Sequence, residues 1–227
     1  MTIKVCVSLP PKTVNEASSL IEKAEAQHAD LIEIRLDSLK KHDRLADIAR
    51  SSKTPLIATN KSTKNHGKFS GSESDRQRIL MDAARNGFEY VDVDLSTPDM
   101  RELIGNLCEV GAKPIVSFHD FNRTPALSQL TEVLEREIAA GAEICKIVTT
   151  AKRVEDNIKI LDFVSKGSKK AKIVTFAMGE LGKPSRLMSP VFGAFFTFAS
   201  LDEKRKTAKG QLTIQEVRRA YEALGLK

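Results

Sequence analysis

The sequence predicts an α/β architecture, one domain over residues 1–227 folded as a (β/α)8 TIM barrel. Three observations predict it. Short β-rich runs recur at intervals of roughly 20 to 35 residues, with amphipathic helical patterns between them. Three helix-to-strand joints share one design, a glycine two or three residues ahead of the next run: Gly87 before Tyr90, Gly111 before Pro114 and Gly141 before Ile144. Finally, 227 residues suffice for one sizeable core, with no linker or low-complexity segment to divide it. An open doubly wound sheet is the alternative, weakened because G-x-G-x-x-G is absent after the first run.

Eight strands are predicted, at Ile3–Leu9, Leu31–Leu36, Leu56–Asn60, Tyr90–Leu95, Pro114–His119, Ile144–Thr149, Lys172–Met178 and Phe195–Ser200. Helix starts are marked by capping boxes at Thr13–Glu16 and Thr213–Glu216. Thr97-Pro98 and Thr124-Pro125 read as a capping hydroxyl ahead of a first-turn proline. After Pro125, the stripe Leu127, Leu130, Leu134 and Ile138 predicts one buried helix face.

Composition excludes several function classes. With no tryptophan and two tyrosines, the chain lacks the rings of a single-strand stacking platform. The N-terminus enters a strand pattern directly and does not read as a secretory signal, and the longest apolar stretch, Pro190 to Leu201, is too short to span a bilayer. Cys6, Cys108 and Cys145 are odd in number and far apart, which argues against a disulfide framework or zinc site and fits the cytoplasm. The formal charge of +6 is dispersed, which favours a solvated basic surface with some attraction for small anions over a nucleic-acid groove.

Strand parity locates the chemistry. Glu33 and Arg35 share a face opposite Ile32 and Ile34; Asp92 and Asp94 alternate with Val91 and Val93; Ser117 and His119 alternate with Val116 and Phe118. Lys146 shares a face with Ile144 and Val148. The outer face of a barrel strand packs against helices, so the polar set must point inward, and its late members fall at the catalytic end. Charges there must pair or face a cavity. Lys146 is the candidate nucleophile, with burial and neighbouring cations expected to lower its amine pKa. His119 is the one histidine of four at a strand end and the candidate acid/base.

Five motifs in order carry a resemblance: Glu33-Ile34-Arg35-Leu36-Asp37, Ser117-Phe118-His119-Asp120-Phe121, Ile144-Cys145-Lys146-Ile147, Pro184-Ser185-Arg186-Leu187 and Ala208-Lys209-Gly210-Gln211. From Ser8 to Gln211 the chain resembles the type I 3-dehydroquinate dehydratases. The resemblance implies conversion of 3-dehydroquinate to 3-dehydroshikimate and water in the shikimate pathway, without cofactor or metal, by an enzyme commonly homodimeric. It implies that Lys146 forms an imine with the substrate ketone and His119 moves protons. Ser8, Glu33, Arg35, Lys61, Arg186, Thr207 and Gln211 match substrate-binding positions, Arg186 as the carboxylate clamp, and Phe176, Met178 and Phe198 resemble pocket-lining residues.

Two departures stand out. Lys61 and Asn65 replace the family's arginine and the glutamate that orients the histidine, so Asp92 or Asp94 becomes the expected support of His119. Lys209 replaces a proline in a longer, charged loop expected to act as a lid. Two other functions remain in view. A class I Schiff-base aldolase would read Gly179-Glu180-Leu181-Gly182-Lys183 as a phosphate nest. A non-catalytic barrel would use its basic surface to bind an anionic partner, with duplex binding weakened by salt.

Overall fold

The structure, a computed structural model, describes residues 3–226. Its strands are β1 (Val5–Leu9), β2 (Leu31–Arg35), β3 (Leu56–Thr59), β4 (Tyr90–Asp94), β5 (Lys113–His119), β6 (Ile144–Thr150), β7 (Ile173–Met178) and β8 (Thr197–Ser200). The helices are α1 (Val14–Ala26), α2 (Leu45–Arg50), α3 (Glu73–Arg85), α4 (Met100–Glu109), α5 (Leu127–Ala139), α6 (Asp156–Gly167), α7 (Lys183–Met188) and α8 (Ile214–Ala223). The strands pair in parallel in the order β7-β6-β5-β4-β3-β2-β1-β8. This is a nearly closed eight-stranded barrel with a helix after every strand, as the alternation predicted.

The seam lies between β7 and β8. Phe195 donates its N–H to the Ile173 carbonyl at 2.7 Å, the one backbone bond across it among the described residues. Phe195 and Phe196 therefore lead into β8 instead of forming it, and the strand begins two residues later than its apolar run.

Local chemistry explains most boundaries. The predicted left-handed glycines hold, with φ of 99° at Gly87, 83° at Gly111 and 91° at Gly141. Thr213 and Glu216 form the full capping box; Thr13 caps Glu16 N–H, while Glu16 reaches the amide of Lys12. The two Thr-Pro pairs do not cap. Asp99, at φ 52°, precedes α4, and Thr97 Oγ1 accepts from Arg76 Nη2 at 2.9 Å. Thr124 Oγ1 donates to the Thr150 carbonyl at 3.0 Å, tying loop to strand, and α5 starts after Ala126. In both cases a hydroxyl with a tertiary partner is lost to the helix end. The α5 stripe is also shifted, since Leu130, Leu134 and Glu137 are buried while Ile138 is 39 % exposed.

Packing sorts strand residues by parity. Val5, Val7, Ile32, Ile34, Ala58, Val91 and Val93 face the helices in the main core. Cys6, Leu31, Ile57, Tyr90, Ile115, Ile144, Val174 and Phe196 plug the barrel interior. This apolar plug makes the opposite, C-terminal end the place where a polar cavity can open.

Candidate active site

Above the plug the interior turns polar. Ser8 donates to Glu33, and Thr59 Oγ1 donates to Glu33 Oε1 at 2.9 Å. Lys146 Nζ donates to Asp92 Oδ2 at 2.8 Å and lies 3.5 Å from Glu33 Oε1. Lys61 Nζ donates to Asp92 Oδ1 at 2.8 Å and to Ser117 Oγ at 2.7 Å, with Asp94 Oδ2 at 3.4 Å. One carboxylate thus clamps two lysines. Burial raises the Asp92 pKa, but Lys146 and Lys61 outweigh it and hold the group far below the usual carboxylate range.

The protonation state of Lys146 departs from the sequence reading. Burial does pull its pKa down, but Asp92 and then Glu33 overcome that pull, and the amine lies above its ordinary value. The neighbouring Lys61 shares the same aspartate, with Nζ 2.8 Å from Asp92 Oδ1. At rest Lys146 is an ammonium, 4.6 Å from the centre of the Phe198 ring.

His119 follows Ser117 on β5, and the register pairs Ser117 with Lys146 and His119 with Val148. The histidine therefore stands two residues nearer the mouth, on the strand beside the lysine. Burial, then Lys61 and Lys146, hold it well below its ordinary value, so it is a neutral base at pH 7. Neither Asp92 nor Asp94 supports its ring, contrary to expectation. Asp92 is engaged by Lys61, Lys146 and Ser117, and Asp94 Oδ1 accepts the Ser96 amide at 3.0 Å. Asn65 lines the cavity beside it.

The cavity has a volume of about 500 Å³. Glu33, Arg35, Lys61, His119, Lys146, Arg186, Thr207 and Gln211 line it, together with Phe176, Met178 and Phe198. Ser8 does not; it stands behind Glu33 and orients that carboxylate. Arg35 is held by Asp37 through two bonds, of 2.9 and 2.7 Å. Arg186 is 2 % exposed, and its Nε and Nη2 have no partner among the described residues. Its guanidinium lies 4.0 Å over the Phe176 ring, and burial brings its pKa down to about 9. A buried cation with unused donors on a cavity wall is a site for a carboxylate.

The loop after β8 covers one side. Gln211 Oε1 accepts the Thr207 amide at 2.8 Å, and Gly179 N–H donates to the Lys209 carbonyl at 3.1 Å. Gly210 has φ 73°, and a Cβ there would overlap the Gly179 carbonyl. Only glycine lets this loop dock on the one after β7. No group of acidic, histidine and cysteine side chains able to hold a metal occurs among the described residues, and no described helix is long and apolar enough to cross a membrane. Sequence reasoning missed Thr59, His66 and Phe121 as lining residues. Thr59 shares parity with the interior residue Ile57, and Phe121 stands two residues past His119, so both carried a signal; His66 carried none.

Comparison with known proteins agrees. A family model described as type I 3-dehydroquinase matches residues 5–227. A 3-dehydroquinate dehydratase of Methanococcus maripaludis is 32 % identical over 222 residues, covering 97 % of this chain and 99 % of that one. One of Dehalococcoides mccartyi is 37 % identical over 209 residues, covering 92 % and 91 %. The crystal structure of the Geobacillus kaustophilus 3-dehydroquinate dehydratase superposes with a TM-score of 0.92 at 23 % identity, over 99 % of this chain and 92 % of that one, which supports the fold. By a match that spans nearly its whole length, the chain belongs to the type I 3-dehydroquinase family.

Proposed function

We propose that this enzyme is a hydro-lyase that converts 3-dehydroquinate to 3-dehydroshikimate and water through an imine on Lys146. The observation that carries the reading is the meeting of three groups in one cavity: a strand lysine, a neutral histidine and a guanidinium with unused donors. Arg186 takes the substrate carboxylate, and the polar rim of Glu33, Thr207 and Gln211 takes its hydroxyls.

Lys146 rests as an ammonium, so catalysis begins with transfer of that proton to the neutral His119. The free amine adds to the C3 ketone, His119 returns the proton to the carbinolamine hydroxyl as it leaves as water, and Asp92 then faces the protonated imine in place of the ammonium. The imine draws electrons from the C2–H bond as His119 removes that proton, giving an enamine. Collapse of the enamine expels the C1 hydroxyl, which leaves as water with the proton from His119. Hydrolysis of the imine releases product and restores Lys146.

Lys61 is a second buried lysine, but besides the shared Asp92 its amine is engaged by Ser117 at 2.7 Å and lies 3.4 Å from Asp94, so the imine is assigned to Lys146. The aldolase reading lacks its phosphate nest, because the Gly179 and Gly182 amides are already spent on the carbonyls of Lys209 and Gly179.

Borohydride trapping with mass spectrometry tests the scheme, with product followed by its ultraviolet absorbance. Wild type is expected to form product and, with borohydride, an adduct on Lys146. Lys146→Ala gives neither, whereas His119→Ala keeps the adduct and loses about a hundredfold or more in kcat. An adduct on Lys61, or turnover by Lys146→Ala, overturns the scheme.

A further inference from the structure

The family glutamate that supports the histidine is Asn65 here, and the nearby aspartates are committed to other partners. Of the four histidines, only His42 has a ring hydrogen bond among the described residues, to the Leu36 carbonyl at 2.9 Å. The His119 ring is held by packing instead. Phe121 lies parallel to it, at 5.6 Å between centroids and 11° between planes. A second histidine packs on Phe121: the His66 centroid is 3.9 Å from that of Phe121, tilted by 38°.

The loop that brings His66 there is built for the contact. His66 has φ 57°, a conformation glycine adopts freely and histidine at a cost. Its neighbours are tied down, with Gly67 N–H on the Ser62 carbonyl at 2.8 Å, Phe69 N–H on the Lys61 carbonyl at 3.1 Å and Lys68 N–H on Asp37 Oδ2 at 3.0 Å. A Cβ at Gly67 would overlap the Lys61 carbonyl, so the loop folds tightly onto the strand end that carries Lys61. A strained residue held by a rigid loop, with its ring on a partner of the proposed base, calls for a role.

We propose that His66 is a positioning residue for His119, acting through the ring of Phe121. The inference rests on the reading of His119 as the acid/base. An imidazole in the site must keep one nitrogen on the substrate while its ring is free to turn about two side-chain bonds. A flat ring beside it restricts that turning, and His66 keeps the flat ring in place. Stacking differs from a carboxylate support in one respect: it orients the base without adding negative charge. The charged groups around His119 are then Lys61, Lys146 and Arg35, which favour its neutral form, and Asp92, which opposes them.

The test uses His66→Ala, His66→Phe, Phe121→Leu and the double variant His66→Ala/Phe121→Leu. His66→Ala is expected to lower kcat about tenfold, the scale of a lost aromatic contact, with KM changed less than about twofold and imine trapping intact. His66→Phe restores kcat, because the contact needs the ring and not its charge. The double variant loses no more than Phe121→Leu, since both act along one line of contact. In the ligand-free protein, the His119 ring proton resonances and their pH titration shift in His66→Ala and return in His66→Phe. Unchanged kcat and unchanged His119 resonances in His66→Ala overturn the inference, as do additive losses in the double variant. A wild type without dehydroquinate turnover would sink the proposed function instead, and the resonances would still decide whether His66 positions His119.

Discussion

Among the described residues Arg186 is the largest fully buried side chain, and two of its nitrogens lack partners there. Its pKa of about 9 lies well below the ordinary arginine value, so the unfolded chain holds that proton more tightly than the folded one. The cost to stability is complete below pH 9 and fades as the pH rises above it towards the ordinary arginine value. Arg186→Met is therefore expected to raise the melting temperature of the ligand-free protein by about 2–5 °C at pH 7. On the proposed binding mode the same variant should raise KM for dehydroquinate about a hundredfold, because the carboxylate would lose a charge-assisted pair. Calorimetry and steady-state kinetics on one preparation check both, and a variant that loses stability would mean the guanidinium is satisfied in the resting protein. At this scale the residue types were readable and their charge states were not. A lysine inside an apolar strand run is conspicuous, but whether its pKa rises or falls depends on which carboxylate lies within ~3 Å.

At the scale of the element, α5 and β6 share a buried acid. Glu137 is 0 % exposed, with neither carboxyl oxygen partnered among the described residues. Burial, and then the charge of Asp92, lift it well above its ordinary value. Cys145, next to Lys146 in sequence but facing the helices, is pushed up to about 12 by burial and then by Glu137. A carboxyl whose folded pKa is raised costs nothing below its unfolded value of 4.5, where it is protonated in both states, and costs progressively more as the pH rises above it. Glu137→Met should therefore stabilise by about 1–3 kcal/mol at pH 7, with a gain that shrinks towards pH 4. Thermal melts of both proteins from pH 4 to 8 read this directly; a pH-independent difference would mean the carboxyl is not the cause. The sequence stripe put Ile138 inward because apolarity was its only guide. A helix presents residues three and four apart on nearly one face, and packing chose Glu137, three residues past Leu134.

For the whole molecule, charge is arranged by end. The eight loops that follow β1–β8 carry fourteen lysines and arginines against eight aspartates and glutamates, a surplus of six that equals the formal charge of the chain. The remainder is neutral by the same count. A basic rim around a low-dielectric cavity focuses its field on the entrance and draws in anions. With dehydroquinate, kcat/KM is expected to fall about two- to tenfold between roughly 0.01 and 0.15 M salt while kcat stays nearly level. A flat salt profile would mean the surplus lies too far from the entry path to matter. Dispersed along the sequence, these charges gave no hint of a patch; the barrel gathers them because every strand-to-helix loop emerges at the same end.

The sequence by itself determined the repeating strand–helix plan, the inward set of polar residues and the family, because each rests on local periodicity or on residue types at fixed spacing. It carried the lysine, the histidine and the arginine of the site for the same reason. Tertiary structure alone decided that one aspartate clamps two lysines, that Ser8 stands behind Glu33, that His66 and His119 both pack on Phe121 and that β7 and β8 barely join. Each of those depends on distances of a few ångströms between residues far apart in the chain, which closure of the barrel sets and local pattern does not encode.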